Sequence, residues 1–268
     1  VRKLARRALA GLGLQVSRTA ETIVVPRPVP GPARSSCPGI DWNEAEVDRI
    51  LAGPLREHAA AASLPGYDPR NPFFGLADAA VCYALLRERR PSRVLEVGSG
   101  NSSRVIRAAL DRNGDGRLVC IDPEPRADLS GIAHEHRRMP VQEVPPDWLR
   151  SLPADAVLFV DSSHRGGTGS DVNFLFLEVI PALAPGVLVH VHDVYLPDDY
   201  PVEWNVERGF LYTEQYLLQA LLVHSSGFEV VWPGRWAIQE RRAGLAACLG
   251  PEADLDRHCS FWFRRRLP

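Results

Sequence analysis

The segment Arg93-Val94-Leu95-Glu96-Val97-Gly98-Ser99-Gly100-Asn101-Ser102-Ser103 constrains the fold more than any other stretch. A short apolar run with β-branched residues reads as a buried strand. The two glycines that follow permit a tight turn and close approach of backbone to a ligand. An apolar-periodic stretch from about Ser102 to Asp111 then reads as a helix. A strand that feeds a helix through glycines is the start of a βαβ unit.

The rest of the chain repeats the alternation. Strands are expected at Leu118–Ile121, near His134–Arg138, and at Ala156–Val160, Val187–Val191, Phe228–Trp232 and Ser260–Arg264. Ala156–Val160 is almost wholly apolar, as a strand covered on both faces must be. Helices are expected at Leu76–Arg89, Val172–Leu183 and Thr213–Val223. This order predicts an α/β fold with a parallel sheet and helices on both faces. Every strand's C-terminal end should then lie along one edge, where ligands bind.

Upstream, Pro26, Pro28, Pro30, Pro32 and Pro38 prevent helix and central strand, so this part reads as an extended arm. The basic, then apolar, stretch Val1–Val16 reads as a short amphipathic helix for packing or dimerisation rather than a secretory leader. That leaves a homodimer open. Asp41 is the expected N-cap of a helical region Trp42–Ala62 interrupted at Pro54. The expected division is an arm and helical extension over 1–72 and a Rossmann-like domain over 73–268.

Composition removes several function classes. The 268 residues carry 31 Lys+Arg against 33 Asp+Glu, a net charge of -2. Such a chain has no global electrostatic reason to bind nucleic acid. No apolar run reaches the ~20 residues a membrane span needs. The five cysteines have no CxxC spacing and an odd count, which fits reduced thiols in a cytoplasm better than zinc or a disulfide framework.

Two acids stand at successive strand ends. Glu96 precedes the glycine loop, where a carboxylate repels a pyrophosphate and suits a cationic ligand end, such as an ammonium. Asp122 ends the next strand, where an acid can accept hydrogen bonds from both ribose hydroxyls. The loop is also not the GxGxxG of dinucleotide enzymes, since Ser103 stands where the third glycine would.

With these features the sequence resembles the class I S-adenosylmethionine-dependent methyltransferases. It is similar in particular to those with a strand-end Asp-x-x-His and a later His-Asp-x-x-x-Pro. The matching stretches are Phe73–Asp78, Leu95–Ser103, Val160–His164, Gly169–Val172, Val189–Pro201 and Glu214–Leu218, within about residues 70–232. The resemblance implies a Rossmann-like, mostly seven-stranded sheet and S-adenosylmethionine as cofactor. Glu96, Gly98, Ser99 and Gly100 would border the methionine part and Asp122 would hold the ribose. Gln142 would flank the adenine, and Asp161 would stand near both methionine and acceptor. The family's usual glycine loop is here followed by Asn101-Ser102, and Ser102 would donate to the cofactor carboxylate.

The cluster Asp161, His164, His190, His192 and Asp193 admits three readings. His164 or His192, with Asp193, takes the acceptor's proton. Alternatively Asp161, His192 and Asp193 bind a divalent metal that acidifies an acceptor hydroxyl. Related metal-dependent enzymes often carry a second acid where His192 stands, which counts against Mg²⁺. Or the cluster only orders its loop, the favoured reading for His190 inside the strand. Tyr195, Tyr200, Trp204 and Tyr212 follow the fifth strand as an aromatic loop suited to stacking on a sugar or ring.

The expected activity is cytoplasmic methyl transfer to a small-molecule acceptor, most simply a hydroxyl of a sugar or specialised metabolite. The alternatives are an NAD-dependent oxidoreductase and a non-catalytic cofactor-binding or assembly protein. A nucleic-acid methyltransferase is disfavoured by charge and by the lack of a base-flipping motif.

Overall fold

The computed structural model describes residues 36–58, 64–250 and 253–267. The expected helix at Val1–Val16 and most of the proline-rich arm lie outside the described residues.

Seven strands form one sheet: β1 (Arg93–Val97), β2 (Arg117–Ile121), β3 (Glu135–Arg137), β4 (Val157–Val160), β5 (Leu188–Val191), β6 (Phe228–Pro233) and β7 (Phe261–Arg265). Their spatial order is β3-β2-β1-β4-β5-β7-β6. This is a Rossmann-like arrangement, as the sequence predicts. The first five strands pair in parallel, with Leu95 beside both Val119 and Leu158. β7 runs antiparallel to both β5 and β6. The expectation that every strand ends on one edge is therefore corrected. β7 begins there, and it carries His258, Cys259 and Ser260 to the ligand edge.

The period-two alternation of the strands divides the core. Val94, Leu118, Val157, Phe159, Leu188 and Trp262 face one side. They meet α1 (Glu44–Ala52), α2 (Pro54–His58), α3 (Leu76–Arg89), α4 (Asn101–Asn113) and α8 (Gly234–Leu249). Leu95, Val97, Val119, Leu158, Val160, Val189 and Val191 face the other. They meet α5 (Pro146–Arg150), the helical segment from Asp171 and α7 (Glu214–Leu222). Each face removes its apolar surface from water, the main favourable term in folding.

Local chemistry sets several boundaries. α4 ends where Asn113 passes to Gly114 at φ 83, a left-handed stop that glycine adopts without penalty. Asn43 and not the expected Asp41 occupies the N-cap position of α1, with no capping bond from its side chain. Asp41 Oδ1 instead accepts from the Asn43 N–H at 3.0 Å, and Asn43 Nδ2 reaches Val230 O at 2.8 Å. The same region is held to the sheet domain by Trp42, stacked on Trp236 with ring centroids 5.9 Å apart. The expected helix Val172–Leu183 is irregular: one α turn, α6 (Asp171–Asn173), widens into a π segment (Phe174–Val179) and closes as a 3₁₀ turn (Ile180–Ala182). Pro181 has no N–H to give, so the ladder reorganises ahead of it. Among the described residues, no helix is long and apolar enough to cross a membrane.

Candidate active site

The β1–α4 loop is built by backbone. Gly98 takes φ 81, and a Cβ there would collide with the Asp161 carbonyl at the end of β4. Gly98 N donates to Ile121 O at 3.1 Å, and Asp161 N donates to Val97 O at 2.9 Å. Three strand ends are thereby locked around one turn. At the loop's far end, Ser103 Oγ accepts from Gly100 N at 3.1 Å, half of a capping box.

Beside this loop lies a cavity of about 460 Å³, a ligand-sized volume. Gly98, Ser99, Gly100, Asn101 and Ser102 form one wall, Asp122, Arg126, Val141 and Gln142 another, and Asp161, Ser162 and Asp171 the end. Phe73 and Phe74 complete it. Asp122 accepts from Ser99 N at 2.7 Å and Glu124 N at 2.8 Å, which fixes its carboxylate at the wall. Each oxygen keeps a lone pair for a ligand hydroxyl. Ser99 Oγ and Ser162 Oγ are buried without a hydrogen-bond partner among the described residues. Orphaned hydroxyls on a cavity wall are what a polar ligand satisfies. Gln142 stands at the wall with its amide tied to Gly169 O at 3.1 Å.

Glu96 is not on that wall, which corrects its expected place beside the cofactor. Alternation along β1 turns it to the α3–α4 side, fully buried. It accepts from Ser102 Oγ at 2.7 Å, Ser103 Oγ at 2.6 Å and Cys120 Sγ at 3.2 Å. Burial pushes its carboxyl up to about 7 despite these donors. Glu96 is an anchor for the first turn of α4, and the Ser102 hydroxyl is spent on it rather than offered to a cofactor. Turned away from the cavity, Glu96 neither repels a pyrophosphate there nor meets a ligand's cationic end.

The second half of the site gathers side chains from distant elements. His164 Nδ1 pairs with Glu214 at 2.8 Å. Its Nε2 stands 3.2 Å from Asp161 and 3.5 Å from Asp193. His192 Nδ1 lies 3.6 Å from Asp161 and 3.5 Å from Asp193. His164 at φ 59 and Asp193 at φ 54 are both left-handed without being glycine, strain of the kind that collects at functional sites. Burial opposes a charge on His164, but hydrogen bonds to Asp161 and Glu214 and the Glu214 and Asp193 charges outweigh it, raising its pKa to about 10. His192 is likewise held well above its ordinary value against burial, by the charges of Cys259, Asp193 and Asp161. Asp161 is held well below the carboxylate range, since the two imidazoles outweigh burial.

Both imidazoles are almost fully buried, whereas the Asp161 and Asp193 side chains keep 17% and 16% exposure. The carboxylates thus face the ligand side and the imidazoles back them. The donor atoms of Asp161, His192 and Asp193 lie within 4.8 Å of one another, so this trio can also hold a divalent ion. His190 behaves as a core residue, stacked on Phe159 at 3.8 Å with Nε2 beside Ser260 Oγ at 2.9 Å.

The aromatic loop assembles as one group. Tyr195 meets Trp204 at 5.3 Å, Trp204 meets Tyr212 at 5.8 Å, and Tyr200 meets Tyr212 at 5.8 Å between centroids. Tyr212 lies 4.6 Å from the His164 ring. The four are not on the wall of the 460 Å³ cavity, and Tyr212 joins the group to the cluster through His164.

Several participants carried no role in the sequence reading: Asp78, Ser162, Glu214, His258 and Cys259. Asp78 left one signal, an acid inside the otherwise apolar stretch Leu76–Leu86. Glu214 is fully buried at the first position of α7, and its one mark in the sequence is its place in the matching stretch Glu214–Leu218.

Residues 95–194 match the family model described as a methyltransferase domain. Among solved structures, the O-methyltransferase TomG from Streptomyces achromogenes, involved in tomaymycin synthesis and in complex with SAM, aligns at 21% identity. That alignment covers 85% of this chain and 97% of that one, with a TM-score of 0.44. The O-methyltransferase from Bacillus cereus in complex with SAH aligns at 14% identity, covering 84% and 98%, with a TM-score of 0.42. No curated protein matches the chain.

Proposed function

From the match of residues 95–194 to a methyltransferase domain, we propose that the chain is a class I, S-adenosylmethionine-dependent methyltransferase that methylates a hydroxyl oxygen of a small molecule. The observation that carries this reading is continuity. One cavity runs from Asp122 to Asp161, and Asp161 belongs to the carboxylate–imidazole cluster.

Bound in that cavity, S-adenosylmethionine supplies a methyl group already activated as a sulfonium. Asp122 accepts the ribose hydroxyls. Ser99 and Ser162 give their unpartnered hydroxyls to the amino-acid end, and Gln142 borders the adenine. Arg126 and the free N–H groups at the start of α4 favour the carboxylate. The chain's remaining tasks are alignment, exclusion of water and removal of one proton. Asp193 takes the acceptor hydroxyl's proton directly. As the methyl arrives, the acceptor oxygen becomes strongly acidic, so a carboxylate is base enough. His164, held between Asp161, Asp193 and Glu214, fixes that carboxylate and balances its charge. The aromatic group Tyr195, Tyr200, Trp204 and Tyr212 covers the acceptor, with faces suited to a sugar or a flat ring. A reducing cytoplasm suits its free thiols Cys82, Cys120 and Cys259.

A second reading rests on the Asp161–His192–Asp193 trio, in which a divalent ion lowers the hydroxyl's pKa. Turnover that survives EDTA removes it.

Calorimetry with S-adenosylhomocysteine beside NAD tests the cofactor. Binding of the first alone is expected, weakened by Asp122→Ala by about 10–100-fold, the worth of hydrogen bonds to a charged group. No binding by a folded sample at millimolar ligand overturns the reading.

A further inference from the structure

The imidazole of His192 has two sides, and only one faces the carboxylates of the candidate active site. Nδ1 faces Asp161 and Asp193. Nε2 points away from the acceptor, toward Cys259 Sγ at 3.7 Å and Asp78 Oδ2 at 3.8 Å. These three groups come from β5, β7 and α3, and all are buried, at 3%, 5% and 1% exposure. One ligand atom from each lies within 4.8 Å of the others.

We propose that Asp78 Oδ2, His192 Nε2 and Cys259 Sγ form a site for a thiolate-preferring divalent metal of the zinc class. A sulfur, an imidazole nitrogen and a carboxylate oxygen are zinc's usual donors. With bonds of about 2.3 Å to sulfur and 2.0–2.1 Å to nitrogen and oxygen, tetrahedral ligand atoms stand roughly 3.3–3.6 Å apart. The observed 3.7 and 3.8 Å need a contraction of a few tenths of an ångström.

The surrounding shell is already arranged for such a site. With two carboxylates beside Nδ1, the ring keeps its proton there while Nε2 faces Asp78 and Cys259, the carboxylate–histidine–metal order found around zinc; a bound metal takes the place of the proton on Nε2 and of the Cys259 thiol proton. The non-ligating oxygen of Asp78 is fixed by three donors: His258 Nδ1 at 2.7 Å, Ser260 N at 2.8 Å and Cys259 N at 3.2 Å. His258 Nε2 in turn accepts from Trp232 Nε1 at 2.8 Å. Asp78 Oδ1 is thereby occupied and Oδ2 is presented to the ring. Asp193 Oδ1, 3.3 Å from the thiol, stands ready as a further oxygen. Magnesium is a poor occupant, because a thiolate is soft and that ion demands oxygen. The metal would tie α3, β5 and β7 behind the carboxylates that meet the acceptor.

The inference is independent of the methyl-transfer reading, and its test uses the whole chain. Metal-stripped protein is titrated with Co²⁺ and followed by absorption. One equivalent is expected to bind with a thiolate-to-cobalt charge-transfer band, and Zn²⁺ but not Mg²⁺ should abolish it. Cys259→Ser should remove the band. Asp78→Asn should weaken Co²⁺ by about 10–100-fold, while Asp161→Asn leaves the band in place. Should those variants fail to fold, Cys37→Ser, Cys82→Ser, Cys120→Ser and Cys248→Ser, each retaining the band, assign it to Cys259. Cobalt binding without the band, binding lost in Asp161→Asn but unchanged in Cys259→Ser, or no binding at all overturns the proposal. S-adenosylhomocysteine affinity of the wild type, measured on the same sample, decides separately whether the methyltransferase reading stands.

Discussion

The two halves of the site are built in opposite ways. The cavity half is local: Gly98 to Ser102 come from one turn, and Asp122 follows the neighbouring strand. Most of its hydrogen bonds to protein involve backbone groups. The carboxylate–imidazole half draws on Asp78, Asp161, His164, His192, Asp193, Glu214 and Cys259, and its charged groups meet side chain to side chain. A half made of backbone tolerates little change of shape but much change of side chain. A half made of charged side chains tolerates neither the loss of a partner nor a change of protonation, because each buried charge depends on the others.

The sharpest way to break the local half is Gly98→Ala. Its Cβ has no room beside the Asp161 carbonyl, and φ 81 is costly for alanine. A loss of more than about 4 kcal/mol is expected, seen as failure to fold or a collapsed denaturant midpoint. A variant of near wild-type stability would show that the loop is not locked to β4.

The dispersed half should respond in rate instead. Asp193→Asn keeps the side chain's shape and removes the proton acceptor. Turnover should fall by about 10²–10⁴-fold, with S-adenosylhomocysteine affinity intact in calorimetry. Unchanged turnover would move the proton elsewhere.

Stability against pH separates the halves again. Glu96 in the folded chain is raised to about 7 from 4.5. Below 4.5 both states hold the proton and nothing is lost. Between 4.5 and 7 the folded state alone keeps it, so stability falls as pH rises, by on the order of 3 kcal/mol in total. Glu96→Gln should flatten that slope in urea melts between pH 5 and 8, and a slope as steep as wild type would contradict the assignment.

His164 works in a later window. Its pKa of about 10 against 6.5 contributes stability that is complete below 6.5 and lost as pH rises through 10. Glu214→Gln weakens the ion pair and should cost about 2 kcal/mol at pH 6. The cost should shrink by pH 10, where half of the wild type has also lost the charge. An equal cost at both values would show that Glu214 acts by packing alone.

Local pattern and elementary chemistry determine much of this protein. The apolar run of β4, the glycines after β1 and the helical spacing of α4 each follow from a few adjacent residues, as does the place of Asp122. So do the strand-end positions of Asp161 and His192–Asp193, and the stacking potential of the Tyr195–Tyr212 loop. Tertiary structure alone decided which way Glu96 faces, because alternation sets two faces but not which of them a ligand meets. It also decided the direction of β7. A strand's sequence says that it pairs, whereas its partners' register and the path of α8 say which way it runs. From that one reversal come Cys259 beside His192 and His258 beside Asp78, contacts that no local period encodes because their residues meet only when the sheet closes.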